Sequence, residues 1–247
     1  MADRSPAPRI ITLAARECLE PLGLTRRGRS RLWVDDQGWR LGVVEFTPSR
    51  TAGSGLHVGA MWLWHDVGHL AFHIDAARVG PEPFRAENQF TRLALDLGRQ
   101  AAANVTALRE RFPSLPDAAR DITSRPVRRG FLWDGFDAGI ASALVGAPGT
   151  ARRHFERVLR EEPLAPWEVD AQEKTRELHA MAEDRGAVAA WVTRAVGSSR
   201  SKLGLEPVSL AITGADPLLG TGAPRGSTTA PPPSSGDPAP AYGRTEP

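Results

Sequence analysis

Polar and apolar residues alternate between Arg29 and Ile74, and this period of two predicts an antiparallel β-sheet near the start of the chain. The pattern favours four strands, over residues 29–34, 39–47, 56–64 and 69–74. Residues 35–38 can form a hairpin turn because Gly38 tolerates a positive φ. Strands joined by such short links must be antiparallel, so we expect a meander with one face in solvent.

Apolar residues at steps of three and four predict helices on both sides of this sheet. A first helix is expected over residues 8–20, and a long helix over residues 84–112 carries one continuous apolar stripe. At a rise of 1.5 Å per residue the long helix reaches about 40 Å, enough to cross the sheet. We therefore expect it to cover the strand face that carries Trp62 and Trp64.

The second half of the chain reads as helical until the composition changes. Residues 131–161 predict a helix pair broken at 146–149, and a third helical stretch covers residues 167–196. The last 42 residues hold nine prolines and six glycines with few large apolar groups, which predicts disorder. The expected fold is therefore α+β, with an α+β sheet domain over 1–130, a helical region over 131–205 packed on or beside it, and a disordered tail over 206–247.

Composition restricts the compartment and the partners. Cys18 is the only cysteine, so an internal disulfide is excluded. Charged residues interrupt the first twenty positions, and no signal peptide or membrane span is recognised, so we expect a cytoplasmic protein without a membrane partner. The formal net charge of +2 gives no argument for nucleic acid.

The densest basic run comprises Arg26, Arg27, Arg29 and Arg31, followed by Trp33. Basic residues beside an aromatic ring could follow a phosphate backbone and stack a base. The alternative is a solvated edge strand, which charge protects from aggregation, and we favour it. We therefore expect no nucleic-acid partner. The spacing of residues 23–30 is that of a phosphate-binding loop, but helix precedes strand here, the reverse of the required order.

Histidines recur every four residues at His65, His69 and His73. On the expected strand, His69 and His73 would lie about 13 Å apart, too far for one metal ion. We therefore assign no metal ligands. His57 and Glu45 fall on the polar face of the predicted sheet, where Glu45 could act as a base near these histidines.

Small residues in the predicted helix pair indicate close packing. Gly139 and Ala151 allow the two helices to approach, and Phe155 would pack back onto the first helix. These offsets, with Pro163 as the stop, resemble those of a single tetratricopeptide unit. No second copy is recognised, so we interpret the pair as an ordinary helical hairpin.

Three segments together resemble a bacterial domain-of-unknown-function family, the 4304 type. They are residues 21–33 (PLGLTRRGRSRLW), 39–50 (WRLGVVEFTPSR) and 56–64 (LHVGAMWLW). The resemblance covers residues 8–130 and implies an opening helix, an antiparallel sheet and later helices. It implies no activity, and no site residue is carried over from it.

Two classes of function follow from these patterns. The favoured class is a non-enzymatic protein that binds another macromolecule, with an unknown protein partner and an accessory, immunity-like role, because no constellation of nucleophile, base and oxyanion donors is recognised. In this class there are no catalytic, cofactor-binding or metal-binding residues. The alternative is a hydrolase with a polar site on the sheet face around Glu45, His57, His69 and His73. A deep polar pocket would favour the enzyme, and exposed aromatic side chains would favour binding. The oligomeric state is not indicated.

Overall fold

The computed structural model describes residues 5–49, 53–128 and 130–210. The part of the predicted tail beyond residue 210 lies outside the described residues. The described helices are α1 (Ala7–Leu19), α2 (Glu87–Arg111), α3 (Leu115–Ser124), α4 (Leu132–Leu144), α5 (Pro148–Arg160), α6 (Pro166–Ala180) and α7 (Arg185–Lys202). The strands are β1 (Thr25–Arg26), β2 (Leu32–Asp36), β3 (Arg40–Glu45), β4 (Ser54–Trp62) and β5 (Ile74–Glu82). The fold is α+β, as predicted.

The five strands form one antiparallel meander in the order β1-β2-β3-β4-β5. Gly38 has a φ of 78° in the turn between β2 and β3, which confirms the predicted hairpin. Arg40 lies opposite Trp62 and Val44 lies opposite Val58, so these side chains share one sheet face.

The prediction of the last strand was wrong. The strand expected over residues 69–74 begins only at Ile74 and continues to Glu82, through Pro81. The strand tolerates Pro81 because β5 is an edge strand, where a proline does not interrupt a ladder on its outer side. Residues 66–73 instead form an irregular segment that begins at Asp66 with a φ of 56°.

The first strand also differs from its prediction. It was expected over residues 29–34 but begins at Leu32, because Arg27, Ser30 and Leu32 are joined in a tight turn: the amide of Ser30 donates to Arg27, and the amide of Arg27 donates to Leu32. The short strand β1 was not predicted. It pairs with β2 on the other side of this turn and forms the second edge of the sheet.

The sheet does not have the predicted solvent face in its centre, because every residue of β4 is buried. α2 lies on the face of Trp62, whose ring meets Phe112 edge-to-face at 5.1 Å between centroids. This covering of the Trp62 face by the long helix confirms the prediction. On the opposite face, Phe72 from the irregular segment stacks on His57 at 3.5 Å.

The C-terminal end of α7 packs against the β2-β3 hairpin. The hydrophobic periodicity did not indicate this contact. The guanidinium of Arg200 donates to both carboxylate oxygens of Asp36, at 2.7 and 2.8 Å, and to the carbonyl of Gly38 at 2.9 Å. The guanidinium of Arg27 donates to the carbonyl of Leu203. These contacts bind the C-terminal end of the described chain to the sheet.

The long helix α2 has 25 residues and matches its prediction to within three residues at each end. Its C-terminal carbonyls are capped by Arg40, a fully buried side chain of β3. Nε and Nη2 of Arg40 donate to the carbonyl of Phe112 at 3.2 Å, and Nη2 also reaches Leu108 at 3.5 Å. A cation on the C-terminal carbonyls stabilises a helix, so Arg40 ties α2 to the sheet.

The helical half contains more helices than predicted. α4 and α5 form the expected hairpin, and a Cβ at Gly139 would lie 2.3 Å from the Phe155 ring, so only glycine allows this approach.

The stretch predicted as one helix over 167–196 is two, α6 and α7, because Asp184 caps the start of α7 by accepting from the amide of Ala187 at 2.9 Å. α3 was not predicted, since residues 115–124 were assigned no helical period. Within the described residues, no helix has the length and apolar character needed to cross a membrane.

Candidate functional site

Three tryptophans form a cluster on the α2 face of the sheet. The ring centroid of Trp62 lies 5.6 Å from that of Trp39 and 5.2 Å from that of Trp64, with planes inclined by 12° in both pairs. Trp39 and Trp64 also contact each other directly, with centroids 5.9 Å apart. Trp62 and Trp64 are almost completely buried. The cluster is therefore part of the core, and the polar edge of Trp64 is buried with it.

A buried carboxylate satisfies that edge. Asp137 of α4 accepts hydrogen bonds on Oδ1 from Nε1 of Trp64 and from Nε2 of His65, both at 2.7 Å. A carboxylate only accepts, so the second bond requires a proton on Nε2 of His65. These two bonds join the end of β4 to the helical half of the chain.

His73 lies against this pair and has a fixed tautomer. Its Nδ1 accepts the backbone N–H of Trp62 at 2.9 Å, so the ring proton is on Nε2. Burial lowers the pKa of His73 well below its ordinary value, and the neighbouring His65 and His69 lower it further. His73 is therefore a neutral hydrogen-bond donor at pH 7.

Four aromatic rings connect His73 to the protein surface. His73 stacks on His65 at 3.8 Å, His65 on Trp133 at 4.1 Å, and Trp133 on Trp167 at 5.7 Å, with interplanar angles of 21°, 23° and 18°. His65 is buried, Trp133 is half-buried and Trp167 is 48% exposed. One face of the partly exposed Trp167 ring therefore packs on Trp133, which is itself stacked on the two histidine rings.

A cavity of about 460 Å³ lies beside His73. This volume is within the range of small-molecule sites. Its wall includes the acids Asp75, Asp134 and Asp137, and it also includes the arginines Arg111, Arg125 and Arg128. Trp62 forms part of the apolar wall.

The acids of the cavity wall are engaged by neighbouring donors. Arg128 binds Asp134 bidentately through Nε and Nη2, at 2.7 and 3.0 Å. Burial alone would raise the pKa of Asp134, but the hydrogen bonds from the side chain and backbone of Arg128 outweigh it and the pKa is lowered. The hydrogen bond from His57 is the main cause of the lowered pKa of Asp75.

The residues of the predicted hydrolase site do not converge. Glu45 faces His57 across β3 and β4, and His57 is engaged by Asp75, with Nε2 and Oδ1 2.6 Å apart. His73 contacts the backbone of Ala60 and Trp62, three to five residues further along β4, which is about 10–17 Å of strand. His69 is exposed in the irregular segment.

The expected strand placement of His69 and His73 was wrong, since both precede β5. The contact that the histidine spacing did not indicate is the stack of His65 on His73. Among the described residues, no group of three or more histidine, cysteine, aspartate or glutamate side chains is arranged to hold a metal ion.

The basic run binds the protein's own backbone. Arg26 donates to the carbonyls of Ser30 and Arg29, at 2.7 and 3.0 Å, and Arg27 reaches Leu203. Arg29 and Arg31 lie in the turn before β2 and not in the strand that was predicted over residues 29–34. The run closes a turn and holds the C-terminal segment.

A second surface feature lies at the start of α6. Leu164, Trp167 and Val169 are 87%, 48% and 42% exposed. The same segment carries exposed acids at Glu162, Asp170 and Glu173. Residues 161–173 contain no lysine or arginine. Trp167 and Val169 are two positions apart on α6 and point to different sides of the helix, so the six residues define an exposed segment and not one flat face. This segment is called the acidic–aromatic surface below.

The sequence missed both Asp137 and Trp167 as candidates. Asp137 is 72 residues from His65, and nothing in its local pattern distinguishes it from a solvated helix residue. The sequence predicted that Trp167 begins a helix, but it did not indicate which side of that helix is exposed. The signal available was local: a tryptophan in a run of acids between Pro166 and Lys174.

Comparison with known proteins gave no relative: no family model, no curated protein and no solved structure matches this chain.

Proposed function

We propose that this protein is a non-enzymatic binding protein whose acidic–aromatic surface receives a basic, partly apolar segment of a protein partner. The observation that carries the proposal is the exposure of Leu164, Trp167 and Val169 on one short segment. Tryptophan is enriched among the residues that dominate binding energies. Exposed apolar side chains surrounded by polar ones are typical of interaction sites.

The surface is preorganised, which favours binding over a passive role. Trp133 stacks beneath Trp167, and Trp133 is itself fixed against His65. The carboxylate of Glu168 accepts from the amides of Leu164 and Ala165, the latter at 3.1 Å, and so fixes the loop before α6. Little conformational entropy is therefore lost in ordering these side chains when a partner binds.

The charge of the surface indicates the chemistry of the partner. Glu162, Asp170 and Glu173 are exposed. The nearest following cation, Lys174, donates from its Nζ to the carbonyl of His65 at 2.9 Å and also interacts electrostatically with Asp170. Residues 161–173 themselves contain no lysine or arginine, so this segment is acidic. Complementary charge steers association and fixes register, so a basic rim around an apolar side chain is the matching partner surface.

The alternative, a hydrolase around Glu45, His57, His69 and His73, receives less support because these residues lie at separate positions. An accessory, immunity-like role is compatible with the binding proposal, since it requires a partner surface and no catalytic group. The resemblance to the 4304-type family over residues 8–130 stays a prediction. The acidic–aromatic surface lies outside that range.

The experiment uses a photo-crosslinking amino acid at position 164 of the full-length chain in its native cell, with a matched probe at Leu13. Leu13 is 52% exposed on α1, away from the surface. A protein crosslinked only from position 164 is then produced alone and titrated against the purified chain. Saturable binding that weakens at least about tenfold in Trp167→Ala supports the proposal. Equal crosslinking from both positions, or binding unaffected by Trp167→Ala, contradicts it.

A further inference from the structure

The cavity beside His73 is distinct from the acidic–aromatic surface, and its arginines have an unusual arrangement. Nε of Arg111, at the end of α2, donates to Oδ1 of Asp121 at 2.9 Å. Nη2 of Arg125, after α3, donates to the other oxygen of the same carboxylate. Two guanidinium groups therefore share one acid, and both line the cavity.

Among the described residues, the acids of the same cavity form their hydrogen bonds with other donors, although the charge of Arg125 contributes to the lowered pKa of Asp134. Asp134 is held by Arg128 through two parallel bonds, and Asp137 by Trp64 and His65. Asp75 is held by His57 and lies 3.6 Å from Arg78. Each of these three carboxylates already has its own donors, whereas Arg111 and Arg125 divide a single acceptor between them.

The remaining donors are suited to an oxyanion. A guanidinium presents five N–H groups, and Arg111 and Arg125 each use one of them on Asp121. His73 adds a neutral ring, with its Nδ1 occupied by the backbone and its proton on Nε2. Arginine pairs and fixed N–H donors are the groups that bind carboxylate and phosphate in proteins.

From this geometry we propose that the cavity binds a small molecule through a carboxylate or phosphate group held by Arg111 and Arg125. The volume of about 460 Å³ admits a metabolite-sized ligand, with Trp62 and Ile122 as its apolar wall. The ligand anion supplies the second acceptor that the two guanidinium groups lack. This proposal does not depend on the proposed protein partner, because the acidic–aromatic surface contributes no residue to the cavity.

The test is isothermal titration of the full chain with pyrophosphate and, in a separate arm, with citrate, at constant ionic strength. The two arms distinguish phosphate from carboxylate chemistry, and glycerol serves as the uncharged control. Variants are Arg111→Gln and Arg125→Gln, with Arg92→Gln as the matched control on an exposed site of α2. Far-ultraviolet circular dichroism establishes that each variant is folded.

We expect saturable binding of at least one of the two anions to the wild type and to Arg92→Gln. Loss of one charged hydrogen-bond partner is expected to weaken binding about tenfold or more in each of the other two variants. An independent readout is the thermal midpoint, which a ligand that binds the native state raises as its free concentration increases above its dissociation constant. Binding that is equal in all variants, or that neither anion shows, overturns the proposal.

Discussion

Replacement of Trp62 by alanine tests the packing of the sheet against α2. Trp62 is 1% exposed, lies 5.6 and 5.2 Å from Trp39 and Trp64, and meets Phe112 edge-to-face. A buried tryptophan removes about 150–250 Å² from water, which at about 25 cal/mol per Å² corresponds to roughly 4–6 kcal/mol as an upper value. Measured deletions of buried aromatic residues cost about 3–5 kcal/mol, and we expect a loss within this range.

The assay is urea denaturation followed by far-ultraviolet circular dichroism, because tryptophan fluorescence changes with the substitution itself. Trp167→Ala is the matched control. Trp167 is 48% exposed and we expect its replacement to cost about 1 kcal/mol or less. A loss below about 0.5 kcal/mol for Trp62→Ala, the size of an ordinary surface change, would refute the assignment of Trp62 to the core.

Three further predictions concern other parts of the fold. The lowered pKa of His73 means that the unfolded chain takes up a proton near pH 6.5 before the native chain does, so stability falls as pH decreases below that value, by up to about 1.4 kcal/mol per pH unit. His73→Asn, which retains an acceptor for Trp62, should flatten this slope in unfolding curves measured from pH 7 to 5, whereas exposed His69→Asn should not. Gly139→Ala should cost about 1–3 kcal/mol because its Cβ would overlap the Phe155 ring, while Gly197→Ala, with open space at its Cβ, should be neutral or stabilising; equal urea midpoints would contradict the packing of α4 on α5. Arg40→Ala should cost about 2–4 kcal/mol, because it removes both side-chain donors from the buried carbonyl of Phe112 and one donor from the carbonyl of Leu108. Exposed Arg92→Ala should cost no more than about 0.5 kcal/mol in the same denaturation assay.

The hydrophobic periodicity predicted those helices and strands that bury one face and leave the other more polar. The β2-β3 hairpin, strand β4 and helix α2 lie close to their expected positions, because alternation and the three-to-four step report directly on which side is covered. The same pattern did not predict β5 correctly. Its outward residues are mostly exposed, and its Pro81 is allowed only because no strand pairs beyond it.

The candidate sites depend on contacts between residues far apart in the chain, and no local pattern specifies such contacts. His65 and Asp137 meet only because the helical half packs against the end of β4. The histidine repeat is visible in the sequence, but the stack of His65 on His73 depends on an irregular segment whose path no periodic pattern indicates. The exposure of Trp167 depends on which side of α6 faces Trp133, and the weak amphipathic pattern of that helix did not reveal it.

The central claim is that the acidic–aromatic surface binds a protein partner, and the most direct measurement compares dissociation constants for one purified partner. The partner is the protein that crosslinks from position 164 and not from position 13. Titration is carried out with the wild type, Trp167→Ala, Asp170→Lys and the control Leu13→Ala. The account predicts that Trp167→Ala weakens binding at least about tenfold, or about 1.4 kcal/mol, that Asp170→Lys slows association, and that Leu13→Ala has no effect. The same dissociation constant for Trp167→Ala and for the wild type, with both chains folded, would contradict it.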